Sequence, residues 1–155
     1  REMTRAAGVT FVVNDRVDIA QALDADGVHL GDEDLPVEVA REMLGDDAII
    51  GRSVSFVEDA RTAEAAGADY LGVGTVFETS SKDDIPEEEY AVGPERISEI
   101  AAAVDIPVIG IGGIDAGNAA PAVEAGATGV AALSAITAAE DPEAATAALR
   151  EAATE

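Results

Sequence analysis

Cysteine and tryptophan are absent from the chain. The first absence excludes a disulfide framework, thiolate metal sites and a cysteine nucleophile. Histidine occurs once, as His29. One histidine and no cysteine leave transition-metal and Ser-His chemistry poorly supported. Lysine is nearly gone as well: Lys82 is the only one. Aromatics are confined to three Phe and two Tyr. No apolar run reaches membrane-spanning length and no basic-then-apolar leader opens the sequence, so a soluble cytoplasmic protein is expected.

What is present is acid. The 155 residues carry 32 Asp and Glu against 9 Lys and Arg, a formal charge of −23 with a pI near 4.1. Such a polyanion repels phosphate backbones and anionic lipid heads, so nucleic acid and membrane are excluded as partners. The charge does not signal disorder, because 48% of residues are hydrophobic and one core can be built. The length suits a single domain over 1–155. An acidic mesophilic protein would account for the balance. Lysine loss, small apolar residues and scarce aromatics favour instead a cytoplasmic protein of a high-salt organism, where salt screens self-repulsion.

Short β-branched runs recur at Val9 to Val13, Gly27 to Leu30, Ala48 to Gly51, Tyr70 to Gly74, Pro107 to Ile111 and Gly129 to Leu133. They are continuous rather than alternating, as strands buried on both faces should be. Helical patterns lie between them, for example Val57 to Ala66 and Pro94 to Val104. This alternation predicts a parallel α/β sheet with right-handed crossovers. A weak repeat marks the helix-to-strand junctions: Leu23 to Val28, Ala66 to Leu71 and Ala125 to Val130, with Gly67 and Gly126 suited to left-handed helix caps. No Gly-x-Gly-x-x-Gly run opens a helix, which argues against an open dinucleotide-binding sheet. Gly-rich and small-residue turns follow the last two strands, as in a (β/α)8 barrel. The expected fold is a (β/α)8 TIM barrel present as about six βα units, lacking its first two. The opening Arg1 to Gly8 accordingly reads as the end of a helix.

Unusual polar residues follow the strands, where a barrel places its active site. Asn14 and Asp15 follow the first run, Asp34 the second, Ser53 the third, and Thr79, Ser81 and Lys82 the fourth; Gly112 and Gly113 follow the fifth and Ser134 the sixth. Two carboxylates at successive strand ends, with substrate oxygens, suit Mg²⁺. Among so many acids, solvated surface accounts for the pair equally well. Thr79 to Lys82 offers hydroxyls and an ammonium for phosphate oxygens, in what reads as a mobile loop. An acidic linker with an incidental lysine is the bland account of the same stretch. Gly112-Gly113, with Asp115 or Asn118 near the next helix, either exposes backbone N–H groups to a phosphate or makes a tight turn. His29, inside a strand, reads as a buried structural histidine rather than a base.

Taken together, the stretches Val12 to Ala20, Asp26 to Gly31, Glu33 to Pro36, Ile50 to Ser53, Gly67 to Gly74, Thr79 to Asp83, Ile109 to Ile114 and Leu133 to Ile136 resemble thiamine-phosphate synthase, a (β/α)8-barrel transferase. The match runs along nearly the whole chain in order. The resemblance implies condensation of hydroxymethylpyrimidine diphosphate with hydroxyethylthiazole phosphate, giving thiamine phosphate and pyrophosphate with Mg²⁺ as cofactor. It implies that Asp15 and Asp34 hold the metal, with Asn14 beside it. Ser53 and Lys82 would contact the pyrophosphate as the catalytic pair. Thr79 and Ser81 are similar to the hydroxyl positions for the thiazole phosphate, and Gly113 and Ser134, with Gly112 and Leu133 beside them, to its backbone cradle. The resemblance also implies self-association into an oligomer.

Three departures accompany the match. The family's first two βα units are missing, and with them a Gln-x-Arg-Glu-Lys motif. Asp32 stands where Gln is usual and Ser81 where Thr is common. Ser55 lies where relatives often carry His, which separates the chain from the related thiazole tautomerase, whose catalytic His is expected near that position. The alternatives to the synthase are that isomerase and a catalytically incompetent phosphate-binding fragment with unpaired edge strands.

Overall fold

A computed structural model of the chain describes residues 1–79 and 91–154. Helix α1 (Glu2–Ala7) leads into β1 (Val12–Asn14), α2 (Val17–Ala22), β2 (Gly27–Leu30), α3 (Val37–Leu44), β3 (Ile49–Val54), α4 (Val57–Ala65) and β4 (Tyr70–Val73). After the undescribed stretch come α5 (Gly93–Ala101), β5 (Val108–Ile111), α6 (Ala119–Glu124), β6 (Gly129–Ala131), α7 (Ser134–Thr137) and α8 (Pro142–Ala152). Gly8 closes α1 in the left-handed conformation, as the opening residues predict.

The strands form one parallel sheet in the order β1-β2-β3-β4-β5-β6. A doubly wound sheet reverses direction at a switch point, and this order does not, so the doubly wound alternative is excluded. Strand side chains alternate between two faces. Val28, Leu30, Ile50, Leu71, Val73 and Val108 turn one way and are buried among the helices. The helices bring small residues to that layer: Ala20, Ala40, Ala60, Ala63, Ala119 and Ala122 are all buried. Ile97 and Ile100 of α5 add bulk. Each large core side chain contributes about 1.5–3 kcal/mol of burial. The Ala-rich composition therefore reflects close helix-to-sheet packing.

The other face differs from expectation. It carries Asn14, His29, Gly51, Ser53, Tyr70 and Gly72, and its Ile111 is 46% exposed. The runs are not buried evenly on both faces. They look continuous because glycines and apolar residues such as Gly51, Gly72 and Ile111 occupy many of the inner positions, so little polar alternation shows.

The junction repeat has a physical cause. Asp26 Oδ2, just before β2, accepts the Phe11 backbone N–H at 2.7 Å and the Arg1 Nη1 at 2.6 Å. Asp69 Oδ2, just before β4, accepts the Ile50 N–H at 2.7 Å and the Arg41 Nη2 at 2.7 Å. Each carboxylate satisfies an N–H near the start of the neighbouring strand and anchors an arginine from the segment leading into that strand: Arg1 at the N-cap of α1 and Arg41 within α3. Gly67 and Gly126 take positive φ at the helix ends. Among the described residues, no helix is long and apolar enough to cross a membrane.

Candidate active site

All strands run the same way, so their C-terminal ends share one rim. Asn14 is the last residue of β1, and Asp15 follows it with φ at 65°, a conformation uncommon for a residue with a Cβ. Its backbone N–H donates to the His29 carbonyl at 2.8 Å. Asn14 Nδ2 donates to Asp15 Oδ1 at 2.7 Å, which aims the carboxylate. Asp34 sits in the turn after β2, where its Oδ2 accepts the Gly31 N–H at 2.6 Å. Arg52 closes that turn from β3, donating to the Gly31 carbonyl and pairing with Asp32 at 3.0 Å. Burial and then the facing Asp34 carboxylate push the Asp15 carboxyl above its usual range. The two acids thus converge, as their placement at successive strand ends predicts.

No group of three or more His, Asp or Glu side chains positioned to hold a metal occurs among the described residues. The Asp15–Asp34 pair could hold a hard cation only together with oxygens from a substrate. That limited donor set suits Mg²⁺, which keeps several ligand positions for water and phosphate.

Ser53 lies within β3, two residues beyond the expected strand end, because Arg52 and Ser53 pair with Leu71 and Gly72 of β4. His29 Nε2 stands 2.9 Å from Ser53 Oγ, and His29 Nδ1 stands 2.9 Å from the Tyr70 hydroxyl. The half-buried His29 thus touches a candidate site residue from within β2. Burial lowers the His29 pKa from its usual value, with the Asp15 carboxylate opposing and Arg52 assisting. Tyr70 was not among the sequence candidates. The signal that finds it is alternation: Tyr70 and Gly72 share a face, as do Gly51 and Ser53.

At the far side of the sheet, the segment after β4 folds onto the turn after β5. Val76 and Phe77 donate backbone N–H groups to Ile111 and Gly112 at 2.9 and 3.0 Å. A Cβ on Gly113 would lie 2.5 Å from the Phe77 carbonyl oxygen and 2.6 Å from that of Glu78. Glycine is needed there for close approach of the segment leading to Thr79. Asn118 Nδ2 holds the Gly113 carbonyl at 2.8 Å. Strand β6 ends at Ala131 rather than Leu133; Leu133 caps α7 and Ser134 begins it. Ser81 and Lys82 lie outside the described residues. The carboxylate pair belongs to the β1–β2 end of the sheet and the glycine turn to the β5–β6 end.

Comparison with known proteins places this geometry. Residues 1–136 match the family described as thiamine monophosphate synthase. A thiamine-phosphate synthase of Haloarcula marismortui is 70% identical over 152 residues, covering 98% of this chain and 72% of that protein. One of Natronomonas pharaonis is 63% identical, covering 94% of this chain and 68% of that protein. The solved structure of a thiamine phosphate pyrophosphorylase from Pyrococcus furiosus superposes with a TM-score of 0.88 at 45% identity, covering 98% of this chain and 71% of that one. The six parallel strands thus form a half-barrel of that type, and the haloarchaeal relatives accord with the acidic composition. The chain belongs to the thiamine monophosphate synthase family.

Proposed function

We propose that the chain carries out the synthase reaction: hydroxymethylpyrimidine diphosphate and hydroxyethylthiazole phosphate give thiamine phosphate and pyrophosphate. The observation that carries this reading is the placement of Asp15 and Asp34 at neighbouring strand ends on one rim, held to the His29 carbonyl and the Gly31 N–H. The family match supports it. In this reading the six βα units are part of a (β/α)8 barrel, supported by a strand order without reversal and by the exposed inner Ile111. The setting is a salt-rich cytoplasm, supported by the charge of −23. Self-association is part of the reading, supported by exposed Ile19 on α2 and Leu23 at its C-cap, beside exposed Val39 and Met43 on α3.

Asp15 and Asp34 would hold Mg²⁺, which when bound supplies charge neutralisation to the diphosphate. Asn14 keeps Asp15 aimed. Ser53 and Lys82 donate to the diphosphate oxygens as the C–O bond at the pyrimidine methylene breaks and its electron pair leaves with pyrophosphate. Thr79 and Ser81, with the cradle of Gly112, Gly113, Leu133 and Ser134, hold the thiazole phosphate. The thiazole nitrogen then bonds to the methylene carbon, already positioned for capture. No protein base is required.

The test is to supply both substrates with Mg²⁺ in molar KCl and measure thiamine phosphate and pyrophosphate together. Equal amounts of the two are expected. Metal-independent isomerisation of a carboxylated thiazole phosphate, without pyrophosphate release, would indicate the tautomerase instead.

A further inference from the structure

The inner face of the sheet contains a built hydrogen-bond chain. In the register, His29 of β2 pairs with Gly51 of β3, Gly51 with Tyr70 of β4, and Ser53 with Gly72. Tyr70 Oη, His29 Nδ1, His29 Nε2 and Ser53 Oγ are joined by contacts of 2.9 Å at each end of the imidazole. Two glycines make the room. A Cβ on Gly51 would lie 2.1 Å from Tyr70 Cζ and 2.5 Å from His29 Nδ1. A Cβ on Gly72 would lie 3.0 Å from His29 Cε1. The rings, 5.4 Å apart between centroids, are half-buried between them.

A neutral imidazole has one donor and one acceptor nitrogen, and the partner of one decides the role of the other. A phenol, with a pKa of about 10, is a stronger acid than a neutral imidazole N–H, so Tyr70 is the better donor of that pair. If Tyr70 donates to Nδ1, the ring proton sits on Nε2 and is donated to Ser53 Oγ. The Ser53 hydroxyl proton is then turned away from the histidine. In the reverse arrangement Ser53 would donate to Nε2 and show only lone pairs to its surroundings, which an anionic oxygen would not accept.

We propose that Tyr70 and His29 are positioning residues that orient the Ser53 hydroxyl as a hydrogen-bond donor toward an anionic oxygen of the substrate. The inference rests on the reading of Ser53 as a diphosphate contact. It makes this imidazole a fixed donor, neither a general base nor a filler of the core.

The chain has a single histidine, so its ring ¹⁵N resonances need no assignment. With EDTA present, they should show a protonated Nε2 and a bare Nδ1, and Tyr70→Phe should lose that preference. Tyr70→Phe should reduce turnover about tenfold with the KM for the thiazole phosphate unchanged. His29→Gln, which can still present an amide N–H, should retain more turnover than His29→Leu, and melting curves confirm that each variant folds. In a Ser53→Ala background, Tyr70→Phe should cost nothing further. A proton on Nδ1 in the wild type, or a full additional loss in the double variant, overturns the proposal while leaving Ser53 as a diphosphate contact. A Ser53→Ala variant with wild-type turnover instead overturns the reading of Ser53 itself, and the positioning role with it.

Discussion

Burial, and after it the neighbouring Asp34 carboxylate, raise the proton affinity of the Asp15 carboxyl above its usual range. Two acids held together in this way cost stability until something positive lies between them. A carboxyl whose folded pKa is raised contributes stability that is fully present below its unfolded value of about 4 and lost as pH rises through the folded value. In metal-free protein, Asp15→Asn should therefore melt about 1–3 °C above the wild type at pH 7, with the difference vanishing near pH 4. Melting curves with EDTA at the two pH values check this. A variant less stable at pH 7 would contradict it.

The acidic surface makes a separate prediction. Among the described residues, arginines at positions 1, 5, 16, 41, 52 and 96 form ion pairs, each with one acid. The remaining negative charges repel one another over a screening length of about 10 Å at 0.1 M salt and about 3 Å at 1 M. The melting temperature should rise by several degrees, at least about 5 °C, between those two KCl concentrations. A flat or falling curve would refute the high-salt reading of the composition.

Asp69 should matter far more than its partly exposed side chain suggests. It accepts the Ile50 N–H and pairs with Arg41, so Asp69→Ala leaves a part-buried strand N–H unpaired. A loss of about 1–3 kcal/mol is expected in urea unfolding. Asp24, whose pair with Arg5 is exposed on both sides, is the control; Asn tolerates its left-handed φ of 50°, so Asp24→Asn should change stability by less than about 0.5 kcal/mol.

Gly113→Ala and Gly8→Ala separate two reasons for glycine. Both positions have positive φ, near 64° and 66°. At Gly8 nothing lies within 4 Å of an added Cβ, so the cost is the left-handed penalty of about 1–2 kcal/mol. At Gly113 the added carbon meets two backbone carbonyls at 2.5 and 2.6 Å. That variant should lose at least about 1 kcal/mol more, and should raise the KM for the thiazole phosphate. Equal losses would mean that the segment before Thr79 moves aside freely.

Legibility varied along the chain for physical reasons. The run Gly27 to Leu30 is the observed β2, because its aliphatic members Val28 and Leu30 both face the helices. The first run was expected to begin at Val9, but β1 begins at Val12: Val9 is 56% exposed and Asp26 takes the Phe11 N–H. Strand β3 runs on to Val54 because polar Arg52 and Ser53 still find partners on β4, which an apolar-run criterion cannot register. Asp15 and Asp34 are legible as rim residues because the first two apolar runs end at Val13 and Leu30, within one residue of the observed ends of β1 and β2. The contact of His29 with Tyr70, 41 positions away, depends on cross-strand register, and one sequence carries no direct record of that.

The central claim is that Asp15 and Asp34 make a Mg²⁺-dependent site for diphosphate departure. The most direct measurement is the initial rate of pyrophosphate release from the two substrates in molar KCl, titrated with Mg²⁺, for the wild type and for Asp34→Ala. The wild-type rate should be negligible in EDTA and saturate with Mg²⁺, with Asp34→Ala at least about 100-fold slower at the same Mg²⁺ concentration. Identical Mg²⁺ curves for the two proteins would contradict the account.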